Sequence, residues 1–221
     1  MGPSPSAHEL WRVLGSAARL WARPEFHHVD DDWWTAYSGQ KSVSYNLACC
    51  HASSPEVLAE TCLEPTLALK KPAVIMLSGP GLAAAQKLSD SGWMTVGALP
   101  LMLRPSPLAS DPGAADARRL SGDDLAAARG LVRDRYWLDA DTAAAAYPDV
   151  PADSPDFGVW GLFDGGELVS SVATVVQDGL LVIWSMVTLA EAQGRGHGRR
   201  LLESVFAAQD PTAVTGSLLH S

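Results

Sequence analysis

The sequence lacks the features that mark membrane-spanning, secreted and zinc-binding proteins. Its apolar runs are too short to cross a bilayer, and Glu9 and Arg12 stand where a signal peptide would have an apolar core. Its three cysteines, Cys49, Cys50 and Cys62, are odd in number and lack Cys-x-x-Cys spacing, which argues against a disulfide framework and against a zinc site. We therefore expect a cytoplasmic protein that holds no metal and binds no membrane.

Basic residues are also few, and no stretch combines a row of them with aromatic residues, so we expect no nucleic-acid partner. The formal net charge is −9, and after Pro105 there are 8 Lys and Arg against 16 Asp and Glu. Within that acidic part, three basic residues stand close together, namely Arg195, Arg199 and Arg200. The basic cluster suits an anionic ligand, and the acidic surroundings suit a cationic one. The acidic residues either steer a cationic substrate or form only a solvated surface.

The composition allows one large domain or two small ones, since 47% of the 221 residues are hydrophobic. Turn-forming residues at 106–113 predict a linker between a part at 1–105 and a part at 114–221. Periodicity and turn signals in the second part predict, in order, a strand at 117–120, a helix after Ser121, strands at 157–163, 168–176 and 180–188, a glycine-rich loop, a second helix and a strand opening at 216.

The glycine-rich loop carries the main functional signal. Gly194, Gly196 and Gly198 alternate with other residues between the strand at 180–188 and the helix of Leu201. Glycines leave backbone N–H groups accessible, and a helix N-terminus adds unpaired donors and the positive end of its dipole, so the loop suits a pyrophosphate. No Lys follows the glycines and their spacing is not Gly-x-Gly-x-x-Gly, which argues against a P-loop and a Rossmann loop. The alternative is a glycine-rich connection without a ligand.

Gln193, Gly196 and Gly198 fit the pattern Gln/Arg-x-x-Gly-x-Gly/Ala, so this stretch resembles the acyl-CoA signature of the GNAT superfamily of N-acyltransferases. The element order of the second part also resembles the first two-thirds of a GNAT domain. The resemblance implies an α/β (α+β) fold with a mixed sheet flanked by helices. It further implies an N-acetyltransferase that uses acetyl-CoA as co-substrate and acts on a small amine or a peptide.

The resemblance also implies which residues bind the co-substrate. Main-chain groups of the strand end would pair with the pantetheine arm, and the loop would bind the pyrophosphate. The implied binding residues are Met186, Val187, Thr188, Gln193, Gly194, Arg195, Gly196, His197, Gly198 and Arg199. Of these, His197 occupies a slot where we expect a packing role rather than catalysis, and Arg199 either supplements the loop donors or belongs to a solvated helix face.

The catalytic groups are less evident. No Asp or Glu lies on the strand at 180–188, so we expect a water chain past Ser185 to take the proton of the amine. Tyr136 and Tyr147 are the only tyrosines of the second part and hence the local candidates to protonate the departing thiolate, although each is equally compatible with an amphipathic wall position. A non-catalytic acyl-CoA sensor or scaffold, or a fragment of a longer enzyme, remain alternatives.

The sequence departs from the family pattern at 216–221, where we expect the second part to lack its closing helix and strands. The first part contains a similar series, namely a strand at 72–78, a helix at 81–88 and a strand pair or bent strand at 94–103. It therefore resembles a degenerate, partial GNAT-like module, the alternative being an unrelated cap domain. The strand opening at 216 needs a cover for its edge, either the first part or a second copy in a homodimer.

Overall fold

A computed structural model of the chain describes residues 5–105, 117–151 and 153–220. The chain forms two compact units, Met1–Pro100 and Leu101–Ser221. The division lies before Leu101 rather than after Pro105 as expected, because Leu101–Pro105 is hydrogen bonded to a strand of the second unit. The linker predicted at 106–113 falls outside the described residues.

The first unit contains a small sheet and four short helices. Its helices are α1 (Ala7–Ala17), α2 (Pro55–Val57), α3 (Glu64–Leu69) and α4 (Ala85–Asp90), and its strands are β1 (His27–Val29), β2 (Trp33–Tyr37), β3 (Asn46–Cys50) and β4 (Val74–Leu77). A π-helical stretch, Leu58–Leu63, joins α2 to α3, and 3-10 turns cover Ala18–Leu20, Pro24–Phe26, Val43–Tyr45 and Gly79–Ala84. The strand order is β1-β2-β3-β4, with only β3 and β4 parallel.

Two of the three elements predicted near the end of the first part are present. The strand predicted at 72–78 is β4, and the helix predicted at 81–88 is the 3-10 turn followed by α4. The strand pair predicted over 94–103 is wrong for residues 94–100, which have no regular structure. Gly97 has φ +150° and Pro100 lacks an N–H, and both interrupt a ladder. The likeness of this unit to a degenerate GNAT module stays a prediction.

The second unit is built on a six-stranded sheet. Its strands are β5 (Leu101–Pro105), β6 (Ala117–Arg119), β7 (Phe157–Asp164), β8 (Glu167–Gln177), β9 (Leu180–Thr188) and β10 (Gly216–His220), and its helices are α5 (Gly122–Tyr136), α6 (Ala140–Ala146) and α7 (His197–Ala207). A 3-10 turn, Ala190–Ala192, lies between β9 and α7. Across the part of the chain that the structure describes, no helix is long and apolar enough to span a membrane.

The strand order is β5-β10-β9-β8-β7-β6, and only β10 and β9 are parallel. β5 is therefore hydrogen bonded to the outer edge of β10. This is the strand edge that we expect, from the sequence, to be covered by the first part or by a second copy. Gly216 lies tightly between the two neighbours of β10, because a Cβ there would stand 2.9 Å from the Arg104 carbonyl oxygen and 3.2 Å from the Leu180 side chain. The expected mixed sheet flanked by helices is confirmed.

One face of this sheet packs against α7. The helix buries Leu201, Val205 and Phe206 among residues of β7, β8 and β9, including Leu162 and Ile183. These side chains recur at the helical spacing that the sequence shows after the glycine loop. The packing fixes the start of α7, and with it the loop, at the end of β9.

Candidate functional site

The glycine loop begins where β9 ends and α7 starts. Gly194 and Gly196 have φ values of +75° and +80°, in the left-handed region that favours glycine. A Cβ at either position would meet nothing within 4 Å, so the backbone conformation, not packing, requires these glycines. The side of the loop onto which a side chain would project is open.

Gly198 has a different role. A Cβ there would stand 2.8 Å from Met186 Cε and 3.5 Å from Thr188 Oγ1. The absence of a side chain thus allows the first turn of α7 to lie against the end of β9. Strand end and helix start are brought together at this point, as the strand-loop-helix pattern predicts.

The N-terminus of α7 presents unpaired donors. Gly196 is the N-cap residue and provides no side-chain cap, and the first N–H to donate along the helix is that of Arg200, to the Gly196 carbonyl oxygen at 3.0 Å. The N–H groups of His197, Gly198 and Arg199 consequently have no acceptor within the helix. Together with the positive end of the helix dipole they make a site for an anion such as a pyrophosphate.

Basic side chains surround this N-terminus. Arg195 and Arg200 are exposed. Arg199 donates from Nε to Glu203 Oε1 at 2.7 Å, one helical turn further along, and this hydrogen bond raises the pKa of the Arg199 guanidinium. Arg199 is therefore paired along the helix surface, which leaves Arg195 as the basic side chain within the loop itself.

His197 is buried, as expected for a packing residue. Its side chain is 5% exposed and its Nε2 lies 3.9 Å from Asp164 Oδ2 at the end of β7. Neither ring nitrogen has a hydrogen-bond partner among the described residues. The residue contributes its backbone N–H to the helix start, while its ring is buried near Asp164.

The end of β9 has an open edge. β10 pairs with β9 only from Gly216 opposite Leu180 to Leu219 opposite Ile183, so within the described residues no strand lies beyond that point on the β10 side. The Leu189 N–H donates to the Val169 carbonyl oxygen at 2.9 Å on the β8 side, and by strand alternation the backbone groups of Thr188 face the open edge. Gln193 Nε2 donates to the Thr188 carbonyl oxygen at 3.3 Å. An extended ligand can pair with this edge as an added strand would.

A bulge interrupts β9 just before the open edge. Ser171 pairs with Val187 and Ala173 with Trp184, so Ser185 and Met186 together stand opposite the single residue Val172. Ser185 has φ +52°, which is unusual for a residue other than glycine. Such conformations persist only where the surroundings hold them, and they cluster at binding and catalytic sites.

Two tyrosines hold the bulge. The Tyr147 hydroxyl donates to the Ser185 carbonyl oxygen at 2.6 Å and lies 2.9 Å from Ser171 Oγ. The Tyr136 hydroxyl donates to the Met186 carbonyl oxygen at 2.6 Å. The three catalytic candidates taken from the sequence, Ser185, Tyr136 and Tyr147, therefore meet at one place.

The two tyrosines differ in exposure. Tyr147 is fully buried, whereas Tyr136 is 45% exposed at the end of α5, and its partial burial raises the pKa of its phenol. Only Tyr136 can therefore meet a substrate without a rearrangement of the core.

Sequence reasoning missed the helix that positions Tyr147. Asp139 caps α6 by accepting from the Thr142 N–H at 2.7 Å, a signal followed by a run of alanines in the sequence. Arg129, which no sequence pattern singles out, donates from Nε to the Tyr147 carbonyl oxygen at 2.8 Å and pairs with Asp149 at 3.2 Å. These contacts fix the C-terminal end of α6 and the ring that follows it.

The described residues contain no cluster of His, Cys, Asp or Glu side chains able to hold a metal ion. The three cysteines are all free and buried in the first unit.

Part of this chain is similar to a known protein family, and its fold is similar to that of several solved structures. Residues 127–209, from α5 through α7, match the Acetyltransferase (GNAT) family. The chain matches none of the curated proteins. Among solved structures, a GCN5-related N-acetyltransferase from Kribbella flavida is 18% identical, with a TM-score of 0.70 over 99% of this chain and 87% of that one.

A GCN5-related N-acetyltransferase from Sphaerobacter thermophilus is 16% identical, with a TM-score of 0.55 over 86% of this chain and 67% of that one. A conserved protein of unknown function from Staphylococcus epidermidis is 14% identical, with a TM-score of 0.56 over 88% and 82%. At these identities the structures establish the fold, and the family match concerns the half that carries the loop.

Proposed function

We propose that the chain is a member of the GNAT superfamily and an N-acetyltransferase that moves an acetyl group from acetyl-CoA to a primary amine. The observation that carries the proposal is the run of N–H groups at His197, Gly198 and Arg199 beside the open edge of β9. An anion site and a strand-like edge next to each other suit a ligand with a pyrophosphate and an amide-containing arm.

Backbone groups make most of the contacts with acetyl-CoA in this proposal. The loop N–H groups and Arg195 hold the pyrophosphate, and the open edge at Met186 to Thr188 aligns the arm that leads to the thioester. Acetyl-CoA supplies the activated acyl group. The protein holds that group beside the bulge at Ser185, where the amine nitrogen attacks the carbonyl carbon and the bond from that carbon to sulfur breaks.

Three protons have to move. The ammonium of the acceptor loses one to water before it attacks, because β9 carries no carboxylate between Leu180 and Thr188. The departing thiolate gains one, and we assign Tyr136 as its donor, since burial raises the pKa of this phenol and keeps it protonated. The nitrogen loses its second proton after the attack, and this proton returns the Tyr136 phenolate to the phenol through water. Tyr147 is a positioning residue, because its hydroxyl is fully buried and already bonded to Ser185 and Ser171.

A thiol-release assay with acetyl-CoA and a panel of primary amines tests the proposal. We expect amine-dependent release, and a loss of kcat on the order of 10² in Tyr136→Phe if the phenol acts as the acid. The matched variant Tyr147→Phe should lower kcat less, through a misplaced bulge, because the phenol of Tyr136 remains available to the thiolate. An unchanged kcat in Tyr136→Phe would remove that residue from the mechanism.

A second function has one observation in its favour. The strand that flanks the site has no carboxylate, which suits a protein that binds acyl-CoA as a sensor or scaffold without turnover. CoA binding without amine-dependent thiol release from any member of the panel would favour this alternative.

A further inference from the structure

A groove runs along α5 beside the segment that follows β9, within the second unit. Its volume is about 620 Å³, in the range of small-molecule sites. Its floor is apolar, with Leu131 from α5, Leu168 from β8 and Leu189 from the segment after β9. Thr188, at the open edge of β9, also lines it. We call this space the α5 groove.

Gly130 leaves room in this groove. It lies inside α5, where glycine costs about 1 kcal/mol of helix stability relative to alanine. A Cβ at Gly130 would meet nothing within 4 Å, so no contact inside the protein requires glycine there. The missing side chain instead widens the groove that Gly130 lines.

Trp137 stands at the groove with its side chain almost entirely exposed. It is 88% exposed and has φ +52° at the C-cap of α5, although a bulky residue in that conformation is strained. It directly follows Tyr136, whose hydroxyl touches Met186 at the bulge. An exposed indole held beside the reaction site offers an aromatic face to a cation.

The charges around the groove are mainly negative. Asp134, Glu167 and Glu191 line it, against one basic residue, Arg135. Asp134 is paired with Arg133, Nε to Oδ1 at 2.8 Å, so Glu167 and Glu191 are the carboxylates left to face a ligand. The glycine loop carries Arg195 instead. Phosphates therefore favour the loop, and a cation favours the groove.

We propose that the α5 groove binds the non-reacting end of a dicationic aliphatic amine, with its methylene chain over Leu131, Leu168 and Leu189, and its second ammonium between Trp137 and the carboxylates of Glu167 and Glu191. The acceptor class is then a small diamine rather than a monoamine. This inference rests on the proposed function in one respect, namely that the other amino group of the diamine is the one that is acetylated. Binding in the groove can be measured without any transfer.

The test compares 1,4-diaminobutane with butylamine on the full chain, by ligand-observed NMR titration and by kcat/KM with saturating acetyl-CoA. We expect the diamine to bind and to react about fivefold better or more, as one added cation–π contact at an exposed site allows. Gly130→Leu should fill the groove and remove that preference while the KM for acetyl-CoA stays unchanged. Ala126→Leu, at an exposed position of the same helix that does not line the groove, is the matched control and should keep the preference.

A second variant changes the charge of the groove without changing the size of any side chain. Glu167→Gln combined with Glu191→Gln changes only exposed side chains, and it should lower diamine affinity to that of butylamine. Equal binding of the two amines by the wild type would overturn the inference. So would a Gly130→Leu variant whose KM rises for acetyl-CoA rather than for the diamine. If the diamine binds in the groove but no amine is acetylated, the inference stands and the proposed transfer activity fails.

Discussion

The Tyr147 hydroxyl donates to the carbonyl oxygen of Ser185 at 2.6 Å, and Ser185 is the residue of β9 that adopts a left-handed conformation. A buried phenol from the end of α6 thus holds an unfavourable backbone conformation next to the open edge. The bulge depends on a contact between elements that lie far apart in the chain.

Tyr147→Phe should loosen this bulge. The change removes the hydroxyl that donates to the Ser185 carbonyl oxygen, and the loss of one such hydrogen bond costs about 0.5–1.5 kcal/mol. We expect faster amide hydrogen exchange along Leu180–Thr188, measured by mass spectrometry on the full chain. Tyr136→Phe is the control and should change exchange less, since water can replace its half-exposed hydroxyl. Equal protection in both variants would contradict the role given to Tyr147.

We expect β5 to be necessary for the second unit to stay monomeric and to unfold cooperatively. Leu103 pairs with Leu218 and covers the edge of β10, which a fragment starting at 112 would expose. We expect residues 112–221 to self-associate or to unfold without cooperativity, and residues 101–221 to be more stable and less associated. Sedimentation and urea unfolding of the two fragments provide the comparison. A monomeric, cooperatively folded 112–221 fragment would show that β5 is dispensable.

The first unit should lose stability above pH 9. Burial raises the pKa of Cys49 from 9.0 to about 12, and burial likewise raises that of Tyr37 from 10.0 to about 12. Between these values the unfolded chain has lost protons that the folded one keeps, so stability falls by about 1.4 kcal/mol per pH unit for each group. Release of the buried thiols to a thiol reagent during urea unfolding reports on this unit, because all three cysteines lie in it.

Cys49→Ala is the variant that isolates the effect. It should unfold at lower urea at neutral pH because of the cavity, yet show a flatter decline between pH 9 and pH 10. An identical slope in the variant and the wild type would mean that Cys49 does not titrate in this range.

Transfer should become faster as pH rises. With no carboxylate on β9 to act as a tuned base, the rate follows the deprotonated fraction of the acceptor amine, and the overall turnover stays low. Thiol release measured from pH 6 to pH 10 should increase throughout. A bell-shaped profile centred near neutral pH would reveal an acid-base pair that the described residues do not suggest.

Local patterns in the sequence predicted much of the second unit. The strands β7, β8 and β9, the helix α7 and the glycine loop follow from alternation, turn residues and helical spacing. The sequence predicted that the edge of β10 is covered by the first part or by a second copy, but it could not single out Leu101–Pro105, which is separated from β10 by the predicted linker. The contacts of Tyr136 and Tyr147 with the bulge could not be predicted either, because a bulge produces no periodic pattern of apolar residues in the sequence. The cytoplasmic location, the homodimer and the absence of a nucleic-acid partner stay predictions.

Calorimetric titration with CoA measures most directly whether the glycine loop at the start of α7 binds the pyrophosphate. Gly196→Val disfavours the left-handed conformation of the N-cap residue and adds a side chain to the loop that carries the donors. Gly122→Val is the matched control, because Gly122 also has a positive φ of +52° and open space around a Cβ, but lies at the start of α5. We expect the wild type and Gly122→Val to bind CoA, and Gly196→Val to bind it about tenfold more weakly or worse, a loss of about 1.4 kcal/mol. Unchanged CoA affinity in Gly196→Val, or no binding by the wild type, would contradict this role of the loop.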